Sequence, residues 1–149
     1  MWPKGTIGSL SHSYERVIAC AGWQSDMTGA GIDVERVVDQ SELFALEQVV
    51  ITEREQAVLA RSKLSRHQAA TLIFSAKESF YKCFSSHIKA NMNFYDVSLI
   101  EFQNGMFTLN INTTLSHYFH EGEILHGRYF LENDYIVTLI AFQERNTRC

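Results

Sequence analysis

Phe74-Ser75-Ala76-Lys77-Glu78-Ser79-Phe80-Tyr81-Lys82 is the stretch on which the reading of this chain turns. It lies inside a longer helical pattern, because Ala69, Leu72, Ile73, Ala76, Phe80, Phe84 and Ile88 recur at spacings of three and four. Ser65-x-x-Gln68 provides a capping box at its start, so the spacing predicts one long helix from about residue 65. Upstream, Thr52-x-x-Glu55 opens a second helix running to about residue 62, and residues 41–48 read as a third, shorter one.

Beyond Asn93 the period changes from helix to strand. Residues 97–102 and 106–111 flank Asn104-Gly105, a two-residue hairpin signal, and residues 123–131 and 135–142 turn back at Asn133-Asp134. Towards the N-terminus, residues 1–13 are rich in Gly and Ser and hold the sole proline, Pro3, which predicts mostly loop with a short strand. A strand over residues 17–21 and a turn over 23–29 lead into Gly31-Ile32-Asp33-Val34-Glu35. The order is strand, strand, helices, then three or four antiparallel strands. That predicts an α+β fold with the long helix laid across an antiparallel sheet.

At 149 residues the chain has the size of one domain, and 46% hydrophobic with 20% charged residues is globular composition. A formal net charge of −4 argues against binding nucleic acid through a broad basic surface. Cys20, Cys83 and Cys149 form neither a disulfide framework nor a zinc pattern. No signal peptide and no apolar run long enough to span a membrane are evident, so a cytoplasmic location is expected.

Asp33 and Glu35 stand two apart on a strand and share one face, with Ile32 and Val34 expected to point into the core. A hard cation such as Mg²⁺ takes carboxylate oxygens of this kind, although a half-exposed strand end with an acidic face would read the same way. Glu78 and Lys82 are four apart in the favourable order, a spacing that as a surface ion pair contributes only about 0.3–0.5 kcal/mol. Phe74, Glu78 and Lys82 form one row of the helix, and such a row suits the rim of a pocket. Lys77 lies about 100° round the axis from Glu78 and is directed at a different phosphate or at solvent. Gly5-x-x-Gly8-Ser9-Leu10-Ser11-His12-Ser13 offers N–H groups, hydroxyls and an imidazole to phosphate oxygens, or simply stabilises a turn. His67, His87, His117, His120 and His126 show no metal-ligand spacing, and there is no nucleophile elbow.

Taken in order, three stretches resemble the motifs of 4′-phosphopantetheinyl transferases, in the branch of the enterobactin-synthase component and the surfactin-type enzymes. They are Trp2-Pro3-x-Gly5-x-x-Gly8-Ser9-x-Ser11-His12-Ser13, Gly31-Ile32-Asp33-Val34-Glu35, and the helix stretch quoted first, which carries Phe74 where many relatives carry Trp. His126-Gly127-Arg128-Tyr129-Phe130 looks like the start of the family's C-terminal hairpin. The resemblance implies one α/β half of that fold. It also implies Mg²⁺-dependent transfer of the phosphopantetheine arm of coenzyme A to a serine of an acyl, aryl or peptidyl carrier protein, as in siderophore assembly, with release of 3′,5′-ADP.

Carried over by position, Asp33, Glu35 and Glu78 would ligate Mg²⁺, Ser11 and His12 would contact the coenzyme A phosphates, and Lys77 and Lys82 would flank the pyrophosphate. Glu78 and Lys82 would act in catalysis, the base being Glu78 or a hydroxide at the metal. Residues 1–30 read as the remnant of a first half and residues 31–149 as the C-terminal transferase domain. On that reading most of the first half is missing, which makes the chain a fragment, a short form that self-associates, or an inactive relative that only binds carrier protein or coenzyme A. The bland alternative is a structural α+β domain with an incidental acidic cluster.

Overall fold

The computed structural model describes residues 1–85, 91 and 93–144, so the expectations placed on His87, Ile88 and Cys149 lie outside the described residues. Three strands, β1 (Thr6–Ser13), β2 (Arg16–Trp23) and β3 (Gly29–Arg36), come first. The helices α1 (Gln40–Val49), α2 (Glu53–Arg61) and α3 (Arg66–Phe84) follow, and then the strands β4 (Val97–Gln103), β5 (Met106–Ile111), β6 (Ile124–Glu132) and β7 (Tyr135–Phe142). The fold is α+β. A five-stranded antiparallel sheet in the order β3-β7-β6-β5-β4 carries α3 on one face, and β1 and β2 form a separate hairpin.

Local chemistry accounts for the element boundaries. Asp39, Thr52 and Ser65 each close a full capping box with Glu42, Glu55 and Gln68, satisfying backbone donors that a helix start leaves free. Asn104 and Gly105 both take positive φ, as a type I′ hairpin requires. Packed against the sheet, α3 buries Ala69, Leu72, Ile73, Ala76, Phe80 and Phe84, and the rings of Phe80, Phe84, Phe119 and Phe142 meet edge to face or tilted.

One expectation is corrected. Residues 6–13 are a complete strand paired with β2 along its whole length, not mostly loop. Ser9, Ser11 and Ser13 are buried on one face while Leu10 and His12 are exposed on the other. The serines are buried because their hydroxyls accept the N–H groups of Ile32, Val34 and Arg36 at 3.0, 3.2 and 3.2 Å. They thereby satisfy the edge of β3 that β7 leaves unpaired.

The burial of Ile32 and Val34 agrees with the expectation for β3, and the structure adds which face of the strand meets α3. Ile32 and Val34 are buried but fall outside the main apolar cluster, and the face carrying Gly31, Asp33 and Glu35 is the one turned to α3. A Cβ on Gly31 would lie 1.9 Å from the Ser79 carbonyl oxygen, and one on Gly29 would lie 2.6 Å from that of Cys83. Strand and helix approach so closely because Gly29 and Gly31 meet the helix backbone at Ser79 and Cys83 with no side chain of their own between. That approach brings the acidic pair against the helix.

Candidate active site

Asp33 of β3 is 2% exposed, and its two oxygens have different surroundings. Oδ1 accepts from Lys82 Nζ at 2.7 Å and from Ser11 Oγ at 3.1 Å. Lys82 also donates to Ser11 Oγ at 2.9 Å and to the Ile32 carbonyl at 3.3 Å. The ammonium of α3 therefore crosses to β3 and β1 rather than running along its own helix to Glu78. Oδ2 is buried without a hydrogen-bond partner. A desolvated carboxylate oxygen with no donor is costly unless a cation serves it.

Glu35 and Glu78 complete the cluster electrostatically. Burial, then the charges of Asp33 and Glu78, push the Glu35 carboxyl from 4.5 to about 7, with Lys82 pulling the other way. Burial and Asp33 likewise raise Glu78, and Lys82 again opposes them. Among the described residues no three of His, Cys, Asp and Glu stand close enough together to form a finished metal cage. The donor set still fits a hard divalent cation that keeps water and substrate oxygens in its shell. It offers carboxylates, one with an unsatisfied oxygen, and shows mutual repulsion that added positive charge would relieve.

The remaining predicted residues are divided by the fold. Ser11 belongs to the cluster, whereas His12 is exposed on the opposite face of the hairpin, one strand position on. Lys77 is 2% exposed and buried against Glu55, not at the cluster. Its ammonium donates to Glu55 Oε2 at 2.9 Å, to the Val50 carbonyl at 2.8 Å and to the Phe94 carbonyl at 2.6 Å, which accounts for all three of its protons. An ammonium both engaged and buried to this degree cannot also flank a phosphate, whereas the Lys82 side chain is 30% exposed, so the expectation for Lys77 gives way.

Glu55, missed in the sequence, is its counter-ion. The signal read there was a helix cap, and Glu55 Oε2 does accept the Thr52 N–H at 2.8 Å, while Oε1 accepts the Leu99 N–H at 2.7 Å. The serine ladder was missed as a strand although its period of two was present. Beside Glu78 a cleft opens, lined by Glu78, Tyr81, Asn93 and Phe94.

The α+β frame with a strand carboxylate held by an ammonium of the long helix agrees with the motif order, and comparison with known families establishes the class. Residues 29–140 match the 4′-phosphopantetheinyl transferase superfamily, and the chain belongs to it. Among curated relatives, the enterobactin synthase component D of Salmonella typhimurium is 38% identical over 88 residues, 59% of this chain and 36% of that protein. Its counterpart in Salmonella typhi is 36% identical over the same share of each chain. The protein of that name in Escherichia coli K12 is 34% identical over 100 residues, 67% of this chain and 46% of the relative. The chain thus spans less than half the length of the curated relatives it matches. No helix among the described residues is long and apolar enough to cross a membrane.

Proposed function

We propose that this chain is the carboxylate-bearing half of a transferase that moves the 4′-phosphopantetheine arm of coenzyme A onto a serine of an acyl, aryl or peptidyl carrier protein, in siderophore biosynthesis. The observation that carries the reading is the division of Asp33, with one oxygen held by Lys82 and Ser11 and the other buried and unsatisfied.

Asp33, Glu35 and Glu78 would hold Mg²⁺, which when bound supplies positive charge to the pyrophosphate. Lys82, whose side chain is 30% exposed, would bring an ammonium to the phosphate oxygens on which charge builds, and Ser11, whose proton goes to Asp33, helps to hold that ammonium there. His12 would meet a coenzyme A phosphate from the outward face of the hairpin, where it is exposed. Glu78 takes the proton of the carrier serine at its carboxylate, a role that burial favours by raising its proton affinity. The serine Oγ–P bond forms at the phosphorus that bears pantetheine. The bond from that phosphorus to the bridging oxygen breaks, and 3′,5′-ADP leaves with the electron pair.

The test is incubation with coenzyme A, Mg²⁺ and a carrier protein, followed by the intact mass of the carrier. Gain of the phosphopantetheine mass is expected, with Glu78→Gln slowing it by roughly 10²–10⁴-fold. Coenzyme A binding without mass gain, at enzyme levels where a component D enzyme reacts, would leave a binding protein and defeat the transfer reading.

A further inference from the structure

The Lys77–Glu55 pair is a buried charge pair with nearly every polar atom engaged. Lys77 ties together the α1–α2 junction through Val50, helix α2 through Glu55 and the segment before β4 through Phe94. Glu55, 0% exposed, adds the first residues of β4 through the Leu99 N–H. Buried ion pairs add little to stability compared with apolar packing, so the pair calls for a role in placement.

The segment that Lys77 holds is also braced from within and from β5. Asn93 N–H donates to Asp96 Oδ2 at 2.7 Å and Tyr95 N–H to Asn93 Oδ1 at 2.8 Å. Asn112 Nδ2 reaches the Tyr95 carbonyl at 2.8 Å. The ring of Phe94 lies 5.8 Å from that of Phe74, one turn before Glu78 on α3. Asn93 and Phe94 form one wall of the cleft whose other wall is Glu78 and Tyr81. Since Lys77 and Glu78 are consecutive, the helix turns one side chain inward to grip the segment and the next outward into the cleft that the segment bounds.

We propose that Lys77, backed by Glu55, is a positioning residue: its grip on the Phe94 carbonyl sets the distance between the Asn93–Phe94 wall and Glu78. The catalytic relevance of that distance rests on the transfer reading above, but the grip itself does not.

Two measurements test it. In the unmodified chain, amide hydrogen exchange should show Tyr95, Asp96 and Val97 as slow as the core of α3, opening only with it. Exchange of these amides at least 100-fold faster than α3 under the same conditions would overturn the clamp, whatever the activity. The variant Lys77→Met with Glu55→Gln removes both charges. In that variant, checked for a cooperative melt, exchange at these three amides should rise at least tenfold while coenzyme A binding weakens about tenfold. Mn²⁺ binding, which uses Asp33, Glu35 and Glu78, should change less than twofold. Equal loss of both ligands, or unchanged coenzyme A binding in a folded variant, would reduce the pair to a structural element and refute the positioning role. Because exchange requires no turnover, failure of the clamp and failure of the transfer reading are separately visible.

Discussion

Burial, and then Asp33 and Glu78 as neighbours, push the Glu35 carboxyl up from its ordinary 4.5 to about 7. Between those values the folded chain keeps a proton that the unfolded chain has released. The contribution of this group to stability is therefore complete below pH 4.5 and is lost as pH rises through 7. Glu78 shifts in the same direction. Without divalent cation the chain should melt lower at pH 8 than at pH 5.5, and Glu35→Gln should flatten much of that slope. Mg²⁺ should raise the melting temperature more at pH 8, where the Glu35 carboxyl is ionised, than at pH 5.5. Thermal melts in chelator and in Mg²⁺ at the two pH values decide it. A melting temperature that climbs with pH in chelator would contradict the assigned environment of Glu35.

At the scale of elements, the seam between β3 and α3 places the acidic pair, and Gly31 is its tightest point. A methyl there would overlap the Ser79 carbonyl, so neither helix nor strand can stay where it is. Gly31→Ala should cost about 2–3 kcal/mol, as overpacking does. It should also weaken Mn²⁺ binding by moving Asp33 away from Lys82, whereas Gly105→Ala at a distant turn should leave binding unchanged. Urea unfolding with Mn²⁺ titration tests both, and a neutral Gly31→Ala would refute the seam. This seam also shows what was legible beforehand. The three helices and the Asn104-Gly105 hairpin announce themselves through local chemistry, caps and turn residues that act within a few positions. Strand β1 does not, because Ser9, Ser11 and Ser13 are polar residues buried by partners 23 positions away. Asp33, Glu35, Glu78 and Lys82 could be singled out by type and spacing, but not the bond from Lys82 to Asp33 in place of a pair with Glu78. The partner of Lys77 was hidden for the same reason, since Glu55 is remote in sequence and already explained by its cap.

For the molecule as a whole, the hairpin has one face committed to β3 and the other turned out. Leu10 and Val17 share the outward face with His12, and they are 59% and 72% exposed; Tyr14 and Trp23 of the same hairpin are 64% and 62% exposed. Apolar surface of this kind, gathered on one hairpin, favours association with another surface. The hairpin is also the element whose inner face delivers Ser11 to the carboxylates, so whatever covers it borders the candidate active site. Self-association through this face is therefore expected, burying roughly 800 Å² per partner if the contact is a stable one. Leu10→Lys with Val17→Glu should shift the chain towards monomer in sedimentation velocity while leaving its melting temperature within a few degrees, because both side chains are solvent-facing. Chain that stays monomeric and monodisperse up to the highest soluble concentration would remove the argument. An assembly that survives the double substitution would move the interface to the outer sheet face, where Met106, Ile124 and Phe130 are also exposed.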